Sequence, residues 1–297
     1  MISISSKIIT YFLGLINAKK LVENTFKNPS RSNITSIANR FKLSDVISEF
    51  QVMGKSVVTL QYKYSENNIH VIFFHGGAYL LEGSSLHFKL IEKIAKGANC
   101  KISYIDYPLA PEHNYKNTFD MVSETYNQLT HKYPGDRFIL MGDSAGGGLA
   151  LAFAQKLVNE NALVLPIKNI LFSPWLDISM QNPRIILSEK LDKILPLNGL
   201  IEAGKKYAGG DDLNNYLLSP INGDLNGVGD TLVFFGTHEL FYADCKKLEK
   251  KANSNNTNFK FYEFNNMQHD WVLFPIPEAE QVIKVTIEFI RNQSIFL

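Results

Sequence analysis

Ser144 stands in the stretch Gly142-Asp143-Ser144-Ala145-Gly146, between an apolar run, Phe138 to Met141, and a helix-like run from Gly147 to Leu157. A short buried strand that turns through glycines directly into a helix must bend sharply, and the residue at the bend projects its side chain off the sheet edge. Glycines two residues before and two after that position remove the side chains that would collide where strand and helix nearly touch. The hydroxyl of Ser144 is thereby a candidate nucleophile; a serine in an ordinary glycine-bordered turn is the plainer alternative, and the company it keeps decides between them. Acyl transfer by serine needs a base to take the proton, an acid to orient that base, and donors for the developing oxyanion. His269 follows the last predicted strand and is the base by position. Glu239 ends the preceding strand unit and is the acid candidate, with Asp244 a turn further on as the alternative. After the apolar run His70 to Phe74 comes His75-Gly76-Gly77-Ala78-Tyr79, whose glycines let the backbone turn its N–H groups toward a common point. Gly76 and Gly77 are therefore candidate oxyanion donors, while His75, leading that turn, reads as a hydrogen-bonding loop residue. If His269 must be neutral to accept a proton, activity should rise through about pH 6 to 7.

The elements that would carry these residues alternate. Residues 1 to about 50 read as helices with polar joints, Asn28-Pro29-Ser30 breaking the first and Ser32 to Arg40 forming another. Strand character then appears at Val57 to Tyr62, His70 to Phe74, Cys100 to Tyr107, Phe138 to Met141, Lys168 to Phe172, Thr231 to Phe235 and Phe259 to Phe264. Helices are predicted from about Thr118 to His131, after the serine, and from Pro277 to Arg291, where Pro277 suits a first turn. Strands alternating with helices imply a mostly parallel sheet flanked by helices, whose carboxyl-terminal edge collects the functional loops. Between about Ile178 and Leu217, polar helix-like pieces punctuated by Pro183, Pro196 and Gly209-Gly210 read as an insertion.

Composition removes other classes. The 297 residues suffice for one large α/β domain or two small ones, and 45% apolar with 20% charged residues is ordinary for a soluble globular chain. With 30 Lys plus Arg against 29 Asp plus Glu, no global field favours nucleic acid. Cys100 and Cys245 lie far apart and in no metal-ligand spacing, which predicts reduced thiols in a cytoplasmic protein. The apolar run Ile8 to Ile16 after Lys7 is too short to span a bilayer, and Ile16 stands where a cleavage site would want a small residue. An amphipathic helix packing on the body of the protein, with Ile9, Phe12, Leu13 and Ile16 as its apolar face, is the expectation, without stable membrane insertion.

The sequence Ser144, Glu239, His269 follows the nucleophile, acid, histidine order of the α/β-hydrolases and differs from two protease orders. From about Val71 onward the chain resembles the hormone-sensitive lipase-like, or HGG-type, carboxylesterases of that fold. The likeness is carried by HGGAY (His75 to Tyr79), YPLAPEH (Tyr107 to His113), GDSAGG around Ser144, SPWLD (Ser173 to Asp177), SPI (Ser219 to Ile221) and MQHDW (Met267 to Trp271). The resemblance implies Ser144 as nucleophile, His269 as general base, and an oxyanion hole from the N–H groups of Gly76, Gly77 and Ala145. It implies a helical cap from residues 1–50 and 178–217 over a hydrolase core of 51–177 and 218–297. The activity it implies is hydrolysis of short to medium acyl esters, small-molecule substrates, with no metal or cofactor. An amidase or arylformamidase on the same triad is the alternative, and a ligand receptor on a decayed hydrolase is a third. The chain departs from the family twice: Glu239-Leu240-Phe241 stands where Asp-Pro-Leu is usual, and Pro108 replaces an arginine.

Overall fold

A computed structural model describes residues 2–32, 36–41, 46–61 and 67–292. In chain order its elements are α1 (Ile4–Leu15), α2 (Ala18–Lys27), β1 (Val46–Val52), β2 (Lys55–Gln61), β3 (Ile69–Phe74), α3 (Ser85–Ala98), β4 (Lys101–Ile105), α4 (Tyr115–Lys132), β5 (Arg137–Asp143), α5 (Ser144–Asn159) and β6 (Lys168–Phe172). There follow α6 (Ile185–Glu189), α7 (Leu197–Ala208), β7 (Asp230–Gly236), α8 (Tyr242–Ser254), β8 (Phe259–Phe264) and α9 (Pro277–Arg291), with single 3-10 turns at Ala38–Arg40, Pro220–Asn222 and Trp271–Leu273.

The strands form one eight-stranded sheet in the order β1-β2-β4-β3-β5-β6-β7-β8. The β1/β2 and β2/β4 pairs are antiparallel, and every pair from β4/β3 to β7/β8 is parallel. This is the mostly parallel sheet expected from the alternation of elements, in the α/β-hydrolase arrangement that the resemblance implies. Parallel strands need helical crossovers that cover both faces of the sheet, so the central strands are largely apolar, and all of β3 is buried. One core lies between the sheet and α4, α5 and α8, with Phe153, Leu149 and Tyr126 in it; the other lies against α3 and α9, with Phe73, Ile91 and Val282. Helix α5 is buried nearly all round, which suits an element wedged between the sheet and the 3-10 turn at Pro220.

The structure differs from the sequence expectations in four places. The sheet starts at Val46, inside the stretch assigned to the amino-terminal segment, because β1 and β2 form a hairpin through Met53 and Gly54 whose left-handed residues close a tight turn. Helix α3 went unread although Ser84 caps it and His87 returns the bond to the Ser84 N–H, a capping box followed by buried Phe88, Leu90, Ile91 and Ile94. Helix α1 forms as expected but is rotated from the expected face: Ile9 and Leu13 turn inward and are half-buried, while Phe12 and Ile16 are exposed. Of the helix expected over Ser32 to Arg40, the described part holds the 3-10 turn at Ala38–Arg40, and residues 33–35 lie outside the described residues, as does Tyr62 of the predicted strand.

Candidate active site

The serine is positioned by backbone packed against backbone. Ser144 sits between β5 and α5 at φ +51°, in the left-handed region. A Cβ on Gly146 would drive into the carbonyl oxygens of Phe74 and His75, and one on Gly142 would meet the Gly146 and Phe74 carbonyls. The elbow therefore nests against the end of β3 at a separation that only bare Cα atoms allow. The Ser144 carbonyl accepts from the Trp175 N–H at 2.8 Å, fixing it to the loop after β6.

The 75–79 loop leaves the end of β3 beside the same elbow. A Cβ on Gly76 would come within 3.0 Å of Ser144 Cβ, and Gly77 takes φ +116°, a conformation side chains rarely adopt. Among the described residues, no backbone carbonyl accepts from the Gly76 or Gly77 N–H, and the Ala145 N–H lies in the first turn of α5, where helices leave their donors unpaired. His75 is buried between the rings of Tyr104 and Tyr107, at 5.6 and 4.4 Å, and its Nδ1 pairs with the Gly76 carbonyl at 2.7 Å. Burial pushes its pKa down to about 3, so it is a neutral part of the loop. Beneath the loop, His87 Nε2 meets Asp143 Oδ2 at 3.0 Å, and although burial opposes its charge, Asp143 raises the pKa of His87.

The base and acid candidates reach Ser144 from the far side. His269 Nε2 lies 2.9 Å from Ser144 Oγ, and its Nδ1 lies 2.8 Å from Glu239 Oε2. Glu239 Oε1 accepts from the Gly236 N–H at 2.9 Å, so both carboxylate oxygens are bonded. Burial raises the Glu239 pKa against the opposing pull of His269. Asp244, the other acid considered, lies in the first turn of α8 and accepts from Asn182 Nδ2 at 2.8 Å; its bonds go to the 178–217 insertion and none to His269. Burial pushes Asp244 up to about 6.

Four residues that the sequence reading left without a role hold or tune this arrangement. Asp270 adopts φ +51° and brings Oδ2 to 3.0 Å from His269 Nε2, the nitrogen that faces Ser144. Burial opposes a charge on the imidazole, but Asp270 and Glu239 outweigh it and lift the His269 pKa well above the ordinary value; burial in turn pushes Asp270 up to about 6. Asp192, buried in the insertion, accepts from the N–H groups of Ile194 and Leu195 through Oδ1 and from Leu240 N–H through Oδ2 at 2.9 Å. Gln268 accepts from Lys193 N–H at 2.7 Å and donates to the Leu191 carbonyl, so the 191–195 segment holds the loops of both Glu239 and His269. Arg31 donates to the carbonyls of Leu80 and Ala110 at 2.6 and 2.7 Å and pairs with Glu112, joining the ends of the 75–79 and 107–113 loops. A guanidinium thus reaches the loop in which Pro108 replaces arginine, from a distant part of the chain. Phe241 meets the His269 ring edge-on at 5.0 Å and stacks on Trp175, Trp175 stacks on Tyr79, and Tyr79 stacks on Tyr207 of α7 at 3.7 Å. Ser144 itself is 4% exposed.

Comparison with known proteins places this geometry in context. The family described as alpha/beta hydrolase fold matches residues 71–273. An esterase of Acinetobacter venetianus is 30% identical over 287 residues, covering 91% of this chain and 94% of that protein. An acetyl-hydrolase of Streptomyces hygroscopicus is 29% identical over 75% of this chain and 76% of its own length. Among solved structures, an esterase from the bacterial hormone-sensitive lipase family superposes with a TM-score of 0.79 at 25% identity, covering 94% of this chain and 98% of that one.

Proposed function

The chain belongs to the alpha/beta-hydrolase family of hormone-sensitive lipase-like esterases, and from that premise we propose that it is a serine carboxylesterase acting on short to medium acyl esters through Ser144, His269 and Glu239. The observation that carries the reading is the unbroken relay from Ser144 Oγ through both ring nitrogens of His269 to Glu239. His269 Nε2 takes the hydroxyl proton as Oγ attacks the ester carbonyl, and Glu239 fixes the tautomer and supports the imidazolium that forms. The oxyanion is received by the N–H groups of Gly76, Gly77 and Ala145. Collapse expels the alcohol, which leaves with the proton held by His269, and the acyl group stays on Oγ. A water then repeats the sequence, losing its proton to His269, and the carboxylic acid departs. Each bond change is served by a side chain or backbone donor of the chain, so the cycle needs no metal or cofactor.

The short-to-medium acyl range rests on the burial of Ser144 and on the aromatic row that runs from Phe241, beside His269, through Trp175 and Tyr79 to Tyr207. Tyr207 belongs to α7 of the 178–217 insertion, which serves as cap and must move for substrate to enter. A series of p-nitrophenyl esters of increasing acyl length tests the reading: a pre-steady-state burst of p-nitrophenol is expected, with kcat/KM falling for long chains. In Ser144→Ala, turnover should fall by about a millionfold with the fold intact. Turnover that survives in Ser144→Ala free of contaminating enzyme removes the serine from the mechanism.

A further inference from the structure

Helix α1 is amphipathic and is mounted with its apolar side toward solvent. Ile4, Ile8, Tyr11, Phe12 and Leu15 fall on one stripe at helical spacing and are between 56% and 76% exposed. The opposite side is tied down: Ser3 N–H and Oγ and Ser6 Oγ donate to the Glu278 carboxylate at the start of α9, at 2.6, 2.9 and 2.7 Å, while Ile9 packs against the core beside α9. Those bonds set the rotation of the helix, so the outward apolar stripe is a fixed feature of the fold. On α2, which follows α1, Lys19 Nζ donates to the Glu189 carbonyl of α6 at 2.7 Å, and α6 presents Ile186 and Leu187 exposed as well. An exposed apolar stripe of this kind marks a docking surface.

The charges around it identify what docks. From Ile2 to Val22 the chain carries Lys7, Lys19 and Lys20 and no Asp or Glu, in a protein whose overall charge is only +1. On the α6 side Arg184 and Lys190 are exposed, Glu189 is half-buried, and the neighbouring Asp192 is buried in bonds to backbone. A two-fold contact with a second copy would set these lysines against their own equivalents. A bilayer bearing anionic headgroups satisfies both features, taking Ile, Leu, Phe and Tyr side chains at the acyl boundary and pairing the lysines with phosphate. Among the described residues no helix is long and apolar enough to cross a membrane, so the contact is peripheral.

We propose that the outward face of α1 docks this protein on an anionic lipid surface, with the exposed Ile186 and Leu187 of α6 as a second apolar contact. The same segment that follows α6 holds the loops of Glu239 and His269, so docking would set the proposed ester site close to the lipid. The binding itself is independent of catalysis.

Co-sedimentation of the full chain with vesicles of equimolar phosphatidylcholine and phosphatidylglycerol, against phosphatidylcholine alone, tests it. Binding should favour the anionic vesicles and weaken several-fold when salt is raised from about 0.1 M to about 1 M, which shortens the screening length from about 10 Å to about 3 Å. The pair Ile8→Ser, Phe12→Ser should lose at least about tenfold in partitioning with an unchanged melting temperature. The pair Lys7→Gln, Lys20→Gln should lose binding by about fivefold per lysine at low salt. Equal binding to both vesicle types, no binding, or binding indifferent to both variant pairs overturns the proposal. So does a dimer in sedimentation equilibrium that Ile8→Ser, Phe12→Ser converts to monomer, since the face would then belong to a second copy.

Discussion

Ser144 and the glycines beside it are fixed by main chain pressed on main chain, whereas the loops of Glu239 and His269 are fixed to the 191–195 segment by side chains, Asp192 reaching to the Leu240 N–H and Gln268 to the main chain of Leu191 and Lys193. On the nucleophile side the fit is steric, and there is nowhere for an added carbon to go at Gly142 or Gly146. On the acid and base side it is polar and adjustable, with Asp192, Gln268 and Asp270 each contributing separable bonds. The first kind of site fails abruptly when altered. The second degrades by steps, and its steps are where pH response and rate are set.

Gly146→Ala tests the abrupt half and should have the largest effect. The added methyl must displace the end of β3, so we expect a loss on the order of 4 kcal/mol or more in stability by urea titration and no useful activity in what remains folded. Near-native stability would dissolve the contrast. Next comes the acid: Glu239→Gln should lower kcat by roughly a hundredfold to ten-thousandfold with little change in KM, while Asp244→Asn should change kcat by less than about threefold, since its partner is Asn182. Steady-state kinetics on the two decide the matter, and a deeper loss at Asp244 would reassign the acid.

Asp192→Asn replaces an acceptor by a donor facing one of three N–H groups and should cost about tenfold in kcat, a step rather than a collapse. If the melting temperature fell while kcat stayed put, the clamp would be structural only. The smallest change in rate is expected at Asp270, and its readout is pH. Because His269 must be neutral to accept the serine proton and its pKa is raised, activity should be lost as pH falls through a value above the ordinary 6.5, higher than the sequence alone implies. Removing the Asp270 charge with Asp270→Asn should move that acid limb of kcat/KM down by about one pH unit, leaving the plateau nearly unchanged. A limb that stays in place would show that Asp270 does not act on the imidazole.

What could be read from the chain follows the same division. The elbow and the 75–79 loop were legible because close backbone approach demands glycine at fixed spacing, and that demand is local. The mostly parallel sheet was legible from alternation, but the order of its strands and the antiparallel β1 and β2 were not, since neighbours in a sheet are chosen across tertiary space. Arg31 and Ala110 are 79 residues apart, and Asp192 and Leu240 are 48 apart; a polar partner chosen across tertiary space leaves no periodic trace. His87 had a local sign, Ser84 three residues earlier, which marks the helix start but says nothing of Asp143. Asp270 is adjacent to His269 in sequence, yet what turns it back onto the imidazole is a left-handed backbone that no residue-type rule assigns to aspartate there. Helix α1 was visible, but its face was not: Ile9, Phe12, Leu13 and Ile16 stand out in the sequence, whereas the exposed stripe is Ile4, Ile8, Tyr11, Phe12 and Leu15, because a helix apolar over most of its circumference offers periodicity more than one face.

The conformation of Ser144 also restricts what could ever stand in its place. At φ +51° a side chain branched at Cβ is badly strained, so threonine, whose hydroxyl offers the same reactivity, is shut out by shape before chemistry is consulted. Cysteine has the unbranched outline the bend accepts, and it would put sulfur where the imidazole awaits oxygen. Among natural side chains that can carry an acyl group, the route open to this elbow for exchanging its nucleophile therefore runs from oxygen to sulfur, with the carbon skeleton unchanged.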